Sequence, residues 1–248
     1  MSDAFERYAV YWVPKRADAL AHFGVAWTGW CADQGELRKL GSFGDLSFNP
    51  ATITRNLRRH GLHGLLRAPF ALAQGRSRFA LETALQQRIE GALSCPIPRF
   101  NVAVIGGRVS LVPEEYDNGL GTVVDRIDEA IDPLASVRAQ AWPDPGGPAG
   151  EDVVQLPSGA AHRFHVPLTD QMDVNDAFRL IAEIEPLVAD LLDVPRRLTD
   201  VALMGDPGGG RRLRILQRYD LRTTPAGNAA SAMPVHGPDT LVRTEIAS

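Results

Sequence analysis

Cysteine is scarce: the 248-residue chain has only Cys31 and Cys95. Two thiols make neither a disulfide framework nor a zinc site built on thiolates, so each is expected as a free or buried side chain. Long apolar runs are also missing. No stretch approaches the roughly 20 residues that span a bilayer, and the start "MSDAFERYAV" has no basic residues followed by an apolar core. The expectation is a cytoplasmic protein with no membrane partner. Nor is there an excess of positive charge. A formal net charge of -4 and a pI near 5.9 give no overall drive toward nucleic acid, so any phosphate binding must be local. No motif calls for a cofactor, and none is expected.

What is present is enough apolar material for a core: 44% of residues are hydrophobic and 23% charged. "RYAVYWV", from Arg7, reads as a strand that stops at Pro14. Leu20, Phe23 and Trp27 fall at helical spacing, which predicts a helix over about 17–27. "NPATITRNLRRHG" opens with an Asn-Pro helix start and ends at Gly61, and a strand "LHGLLRAPF" follows. Over 77–93 the spacing predicts a helix capped by Ser77, with Phe79, Leu81, Leu85, Ile89 and Leu93 mostly on one face. "FNVAVIGGRVSLVP" reads as a hairpin turning at Gly106-Gly107. "TVVDRIDEAIDPL" reads as a helix, and the Pro/Gly-rich "WPDPGGPAGED" as a mobile surface loop. A strand at 153–157, the strand "HRFHVPLT" and a long helix over about 173–192 come next. "TDVALMG" and "RRLRILQRYDL" read as strands around the Gly-rich turn "GDPGGG". The polar tail over 223–248 is expected to be disordered or loosely attached.

This order describes one domain over 1–222. Each half has strands, a helix pair and a central strand carrying a histidine in its middle. Strand-helix-strand units joined by hairpins predict an α+β fold with largely antiparallel sheets.

The two histidines are His63 and His165. Residues two apart on a strand share a face, so alternation groups His63 with Leu65 and Arg67, and His165 with Pro167 and Thr169. Leu62, Leu66, Phe164, Val166 and Leu168 then point the other way, toward the helices. Exposed strand histidines without a role give the same spacing.

"RYAVYWVP", "FGVAWTGW", "LHGLLRAPFALAQG", "RFHVPLT" and "RLRILQRYDL" together resemble a family often associated with phosphonate-utilisation operons (DUF1045-like). That family is placed in the two-histidine (2H) phosphoesterase superfamily, and the resemblance covers roughly residues 6 to 221. It implies a two-lobed, pseudo-twofold fold in which His-x-Thr or His-x-Ser motifs face each other across a groove. It also implies hydrolysis of a phosphoester or cyclic phosphodiester without metal, one imidazole taking a proton and the other giving one. His63 and His165 match the two histidines and are the candidate catalytic pair. The hydroxyl positions do not match: they hold Leu65 and Pro167, which cannot donate a side-chain hydrogen bond. If each lost donor were worth about 2.7–4 kcal/mol, several orders of magnitude in rate would go with them.

Arg67, where the family pattern has a lysine, shares the expected face of His63 and could bind an anion with its planar fork. Thr169 shares the expected face of His165. Tyr8, Tyr11 and Trp12 could stack on a base or sugar, though core packing is the default for strand aromatics; Tyr11 is the candidate carried forward. Arg55, Arg58 and Arg59 could line the groove or simply be solvated. His60-x-x-His63 and His162-x-x-His165 have metal spacing, but residues three apart on a strand face opposite sides, so no metal is expected.

Three readings follow. One is a phosphoesterase acting on a small phosphorylated molecule. Another is a binder, without hydrolysis, of a phosphorylated metabolite or a nucleic-acid end. The third is an enzyme recruited to acid/base chemistry on a substrate without phosphate.

Overall fold

A computed structural model describes residues 5–44, 46–115, 117–136 and 164–223. The loop expected at 142–152, the strand at 153–157, His162 and nearly all of the tail lie outside these residues. The described chain is a mixed α+β fold, and every pairing between its named strands is antiparallel. One four-stranded sheet has the order β11-β10-β1-β4, built from β1 (Arg7–Trp12), β4 (Gly64–Phe70), β10 (Asp200–Asp206) and β11 (Arg214–Asp220). A three-stranded sheet has the order β6-β7-β8, from β6 (Phe100–Ile105), β7 (Arg108–Pro113) and the short β8 (Val166–Pro167). Two further ribbons pair β2 (Trp30–Cys31) with β3 (Glu36–Leu37), and β5 (Cys95–Ile97) with β9 (Arg196–Leu198).

The helices begin where short polar side chains satisfy the first backbone N–H groups. Asp18 caps α1 (Ala19–Thr28), Ser77 caps α4 (Arg78–Ile89), Asp117 caps α5 (Asn118–Ile131) and Asp173 caps α6 (Val174–Leu192). Within α4 the buried residues are Leu81, Leu85 and Ile89, one turn apart. Phe79 is 76% exposed, and Leu93 lies beyond the helix and is exposed. The expected apolar face is therefore narrower than the sequence suggests. The hairpin at Gly106-Gly107 forms as expected, with φ of 55° and 72°, which glycine adopts without a Cβ clash.

The segment from Asn49 to Gly61 has the expected ends but not one continuous helix. Asn49 caps α2 (Pro50–Ile53), and after a short turn α3 (Leu57–His60) ends at Gly61, whose φ is 76°. The break is held by Asp170, whose carboxylate accepts from Asn56 N–H at 2.7 Å and Leu57 N–H at 2.8 Å. A carboxylate at the start of a helix satisfies orphan donors that a continuous helix would have used internally.

A single large apolar cluster joins both sheets, including Val10 and Trp12 of β1, Leu66 and Phe70 of β4, Val109 and Leu111 of β7, and Val166 of β8. A smaller one lies on the opposite face of β1, around Ala9, Tyr11, Val13 and Trp30. The sheets meet edge to edge. Both β4 and β8 are edge strands, and Leu65 N–H donates to His165 O at 3.0 Å across the gap. The histidine-bearing strands are thus neither central nor threaded through their histidines: His63 and His165 each stand one residue before a strand at this joint.

Candidate functional site

The joint between the sheets opens into a groove of about 240 Å³, lined by His63, His165, His60, Arg108, Thr169 and Asp170, with Leu65, Ala68, Pro69 and Pro167 among its apolar lining. Two histidines remote in sequence converge because β4 and β8 lie side by side. Gly64 permits the approach: a Cβ there would sit 2.4 Å from the Phe164 ring and 3.0 Å from Trp12. Phe164 therefore packs over the backbone next to His63, and it carries His165 with it.

His63 is buried, and its Nδ1 lies 2.8 Å from Gly61 O. A carbonyl only accepts, so Nδ1 carries the proton and Nε2 keeps its lone pair. Burial, with a smaller push from His165, lowers the His63 pKa to about 4 despite the opposing effect of the Gly61 bond. At neutral pH it is an uncharged imidazole. His165 is half-buried, held by its backbone bond to Leu65 and by the following residues. Leu168 N–H donates to Val109 O at 2.8 Å, and Leu168 O accepts from Trp27 Nε1–H at 2.6 Å.

Three sequence expectations change. Arg67 does not line the groove. Between the Tyr11–Leu65 and Val10–Arg67 pairs the register slips, so β4 spends two residues on one step of β1. This bulge turns Arg67 to the helix side, where its guanidinium meets Asp128 of α5 at 2.5 Å and Asp132, the residue that caps the end of α5, at 2.7 Å. Tyr11 lines the groove but is only 1% exposed, with its ring stacked on His63 at 3.9 Å between centroids and its hydroxyl 2.9 Å from His60 Nδ1, so its ring face is taken by His63. Tyr8 and Trp12 are buried in the large core. Lastly, His60 does not point away from His63. Gly61 between them has φ of 76° and ψ of 178°, a backbone conformation open to glycine, and the two ring centroids lie 5.5 Å apart at the groove.

Thr169 lines the groove as expected but is 1% exposed, and its Oγ1 accepts from Val109 N–H at 3.0 Å. Its own O–H can still donate. Of Arg55, Arg58 and Arg59, none lines the groove. Arg58 Nε–H donates to Thr28 O, and Arg59 reaches the buried Asp206, which Arg7 also pairs.

Sequence reasoning missed Arg108 and the siting of His60. Arg108 follows the Gly-Gly turn, and its strand β7 pairs with β8 through Ser110–Pro167 and Leu111–Val166, which brings it to the groove. The signal for His60 was its place before a helix-ending glycine. Among the described residues no group of three or more His, Cys, Asp or Glu side chains is disposed to hold a metal, and no helix is long and apolar enough to cross a membrane.

The molecule is thus an α+β protein whose groove gathers histidines at the meeting edge of two sheets. Residues 65–142 match the model of a family described as proteins of unknown function (DUF1045). That stretch runs from β4 past the end of α5 and agrees there with the family resemblance read from the sequence. No curated protein matches the chain. A solved structure, "Crystal structure of phosphoesterase", is similar over 88% of this chain and 99% of its own, with a TM-score of 0.46 and 11% identity.

Proposed function

We propose that the groove binds a small phosphoester or cyclic phosphodiester and hydrolyses it with His63 as base and His165 as acid. The observation that carries this reading is the convergence of His63 and His165 on one groove that also holds Arg108. In the reaction a water oxygen forms a bond to phosphorus as the P–O bond to the leaving oxygen breaks. The water proton passes to His63 Nε2, and the leaving oxygen takes a proton from the His165 imidazolium. His63 then returns its proton to solvent, and His165 regains one.

A base with a pKa near 4 is unprotonated at neutral pH but accepts a proton weakly. The negative charge of a bound phosphoryl group favours the imidazolium, so it raises that pKa when substrate arrives. Arg108 and the Thr169 O–H take the place of the hydroxyls that Leu65 and Pro167 lack. The apolar Leu65 and Pro167 also favour a second reading, in which a phosphorylated ligand binds without turnover.

Phosphorus NMR with a panel of cyclic phosphates tests both. Monoester signals that form with wild type and vanish in His63→Ala and His165→Ala support hydrolysis. Saturable binding without new signals, weakened by Arg108→Ala, supports the binder. Neither turnover nor binding across the panel overturns the phosphate reading.

A further inference from the structure

Tyr11 touches two histidines at once. Its hydroxyl is 2.9 Å from His60 Nδ1, and its ring lies against His63. Among the described residues the His60 bond is the only hydrogen bond of the phenol. A buried O–H is expected to donate, and burial together with the Asp206 carboxylate pushes the phenol pKa up, so the proton stays on oxygen. The phenol therefore donates and Nδ1 of His60 accepts. His60 is uncharged, because burial, His63, Arg59, Arg7 and Arg108 all disfavour its imidazolium. A neutral imidazole carries one proton, so that of His60 is on Nε2. On His63 the Gly61 carbonyl places the proton on Nδ1 instead.

We infer that Tyr11 and Gly61 O hold the neighbouring histidines in opposite tautomers, so that His60 brings an Nε2–H donor to the groove while His63 brings an Nε2 lone pair. Toward a phosphoryl oxygen, His60 then supplies a neutral donor of the kind missing at Leu65 and Pro167. Tyr11 is a positioning residue that acts through both rings. The donor's role rests on the phosphate reading above; the tautomers do not.

Long-range proton–nitrogen NMR of the 15N-labelled full chain at neutral pH reads the tautomers directly, with His60→Gln and His63→Gln giving the assignments. The expected result is His63 in the Nδ1–H form and His60 in the Nε2–H form. In Tyr11→Phe, His63 keeps its form and His60 moves to a mixture. His60 in the Nδ1–H form in wild type, or unchanged in Tyr11→Phe, overturns the inference. Titration with inorganic phosphate tests the donor. His60→Leu is expected to raise the phosphate Kd about tenfold or more, and His60→Gln, with an amide N–H, to recover most of it. Phosphate affinity unchanged in His60→Leu removes His60 as a donor. If wild type binds no phosphate, the phosphate reading fails, and the tautomers are still decided from the free protein.

Discussion

Acid should destabilise this protein through His63. In the folded chain its pKa is about 4, whereas an exposed histidine in the unfolded chain titrates near 6.5. Above about pH 6.5 both states are neutral and the full stability is present. As pH falls, the unfolded chain takes up a proton that the folded one refuses, so stability drops until the folded group titrates too, near pH 4. At about 1.4 kcal/mol per unit, the gap amounts to ~3 kcal/mol in all, of which ~2 kcal/mol is gone by about pH 5. His60, lowered in the same direction by burial and its cationic neighbours, adds to the slope. Urea unfolding between about pH 7.5 and 4.5 measures it, comparing wild type with His63→Gln. The comparison uses slopes, so a uniform loss of stability in the variant does not matter. The variant should lose up to ~1.4 kcal/mol per pH unit of acid sensitivity. Equal slopes in both proteins, or a His63 that titrates near 6.5 by NMR, would refute the reasoning.

Arg67→Met should lower stability by about 1–3 kcal/mol, because it strands Asp128, whose carboxyl burial already pushes above the usual range against the pull of Arg67. It should leave phosphate affinity unchanged, which calorimetric titration checks. Gly64→Ala should cost about 1–3 kcal/mol by forcing the Phe164 ring away, and should shift the His165 resonances. Asp170→Ala removes the acceptor for Asn56 and Leu57 N–H and should cost about 1–2 kcal/mol; hydrogen exchange should be faster at these two amides than at those of α4. Arg108→Ala should weaken phosphate binding about tenfold or more, with stability changed far less, as unfolding and titration together reveal.

Local chemistry by itself determined most of the secondary structure. Asp18, Ser77 and Asp173 start helices by accepting from the nearest N–H groups, Gly106-Gly107 closes a hairpin, and β-branched runs become strands. These signals act within a few residues, so they can be read along the chain. The two histidines were legible in the same way, from the strand-like runs that carry them. Which side chains share the groove was decided only in three dimensions. Arg67 left the histidine face because β1 and β4 pair with a bulge, and a bulge belongs to two strands rather than one. His60 joined His63 because Gly61 adopts a positive φ close against Trp30, and Arg108 arrived through the pairing of β7 with β8. Alternation along a strand assigns faces only while the register holds, and register is a property of the partner strand.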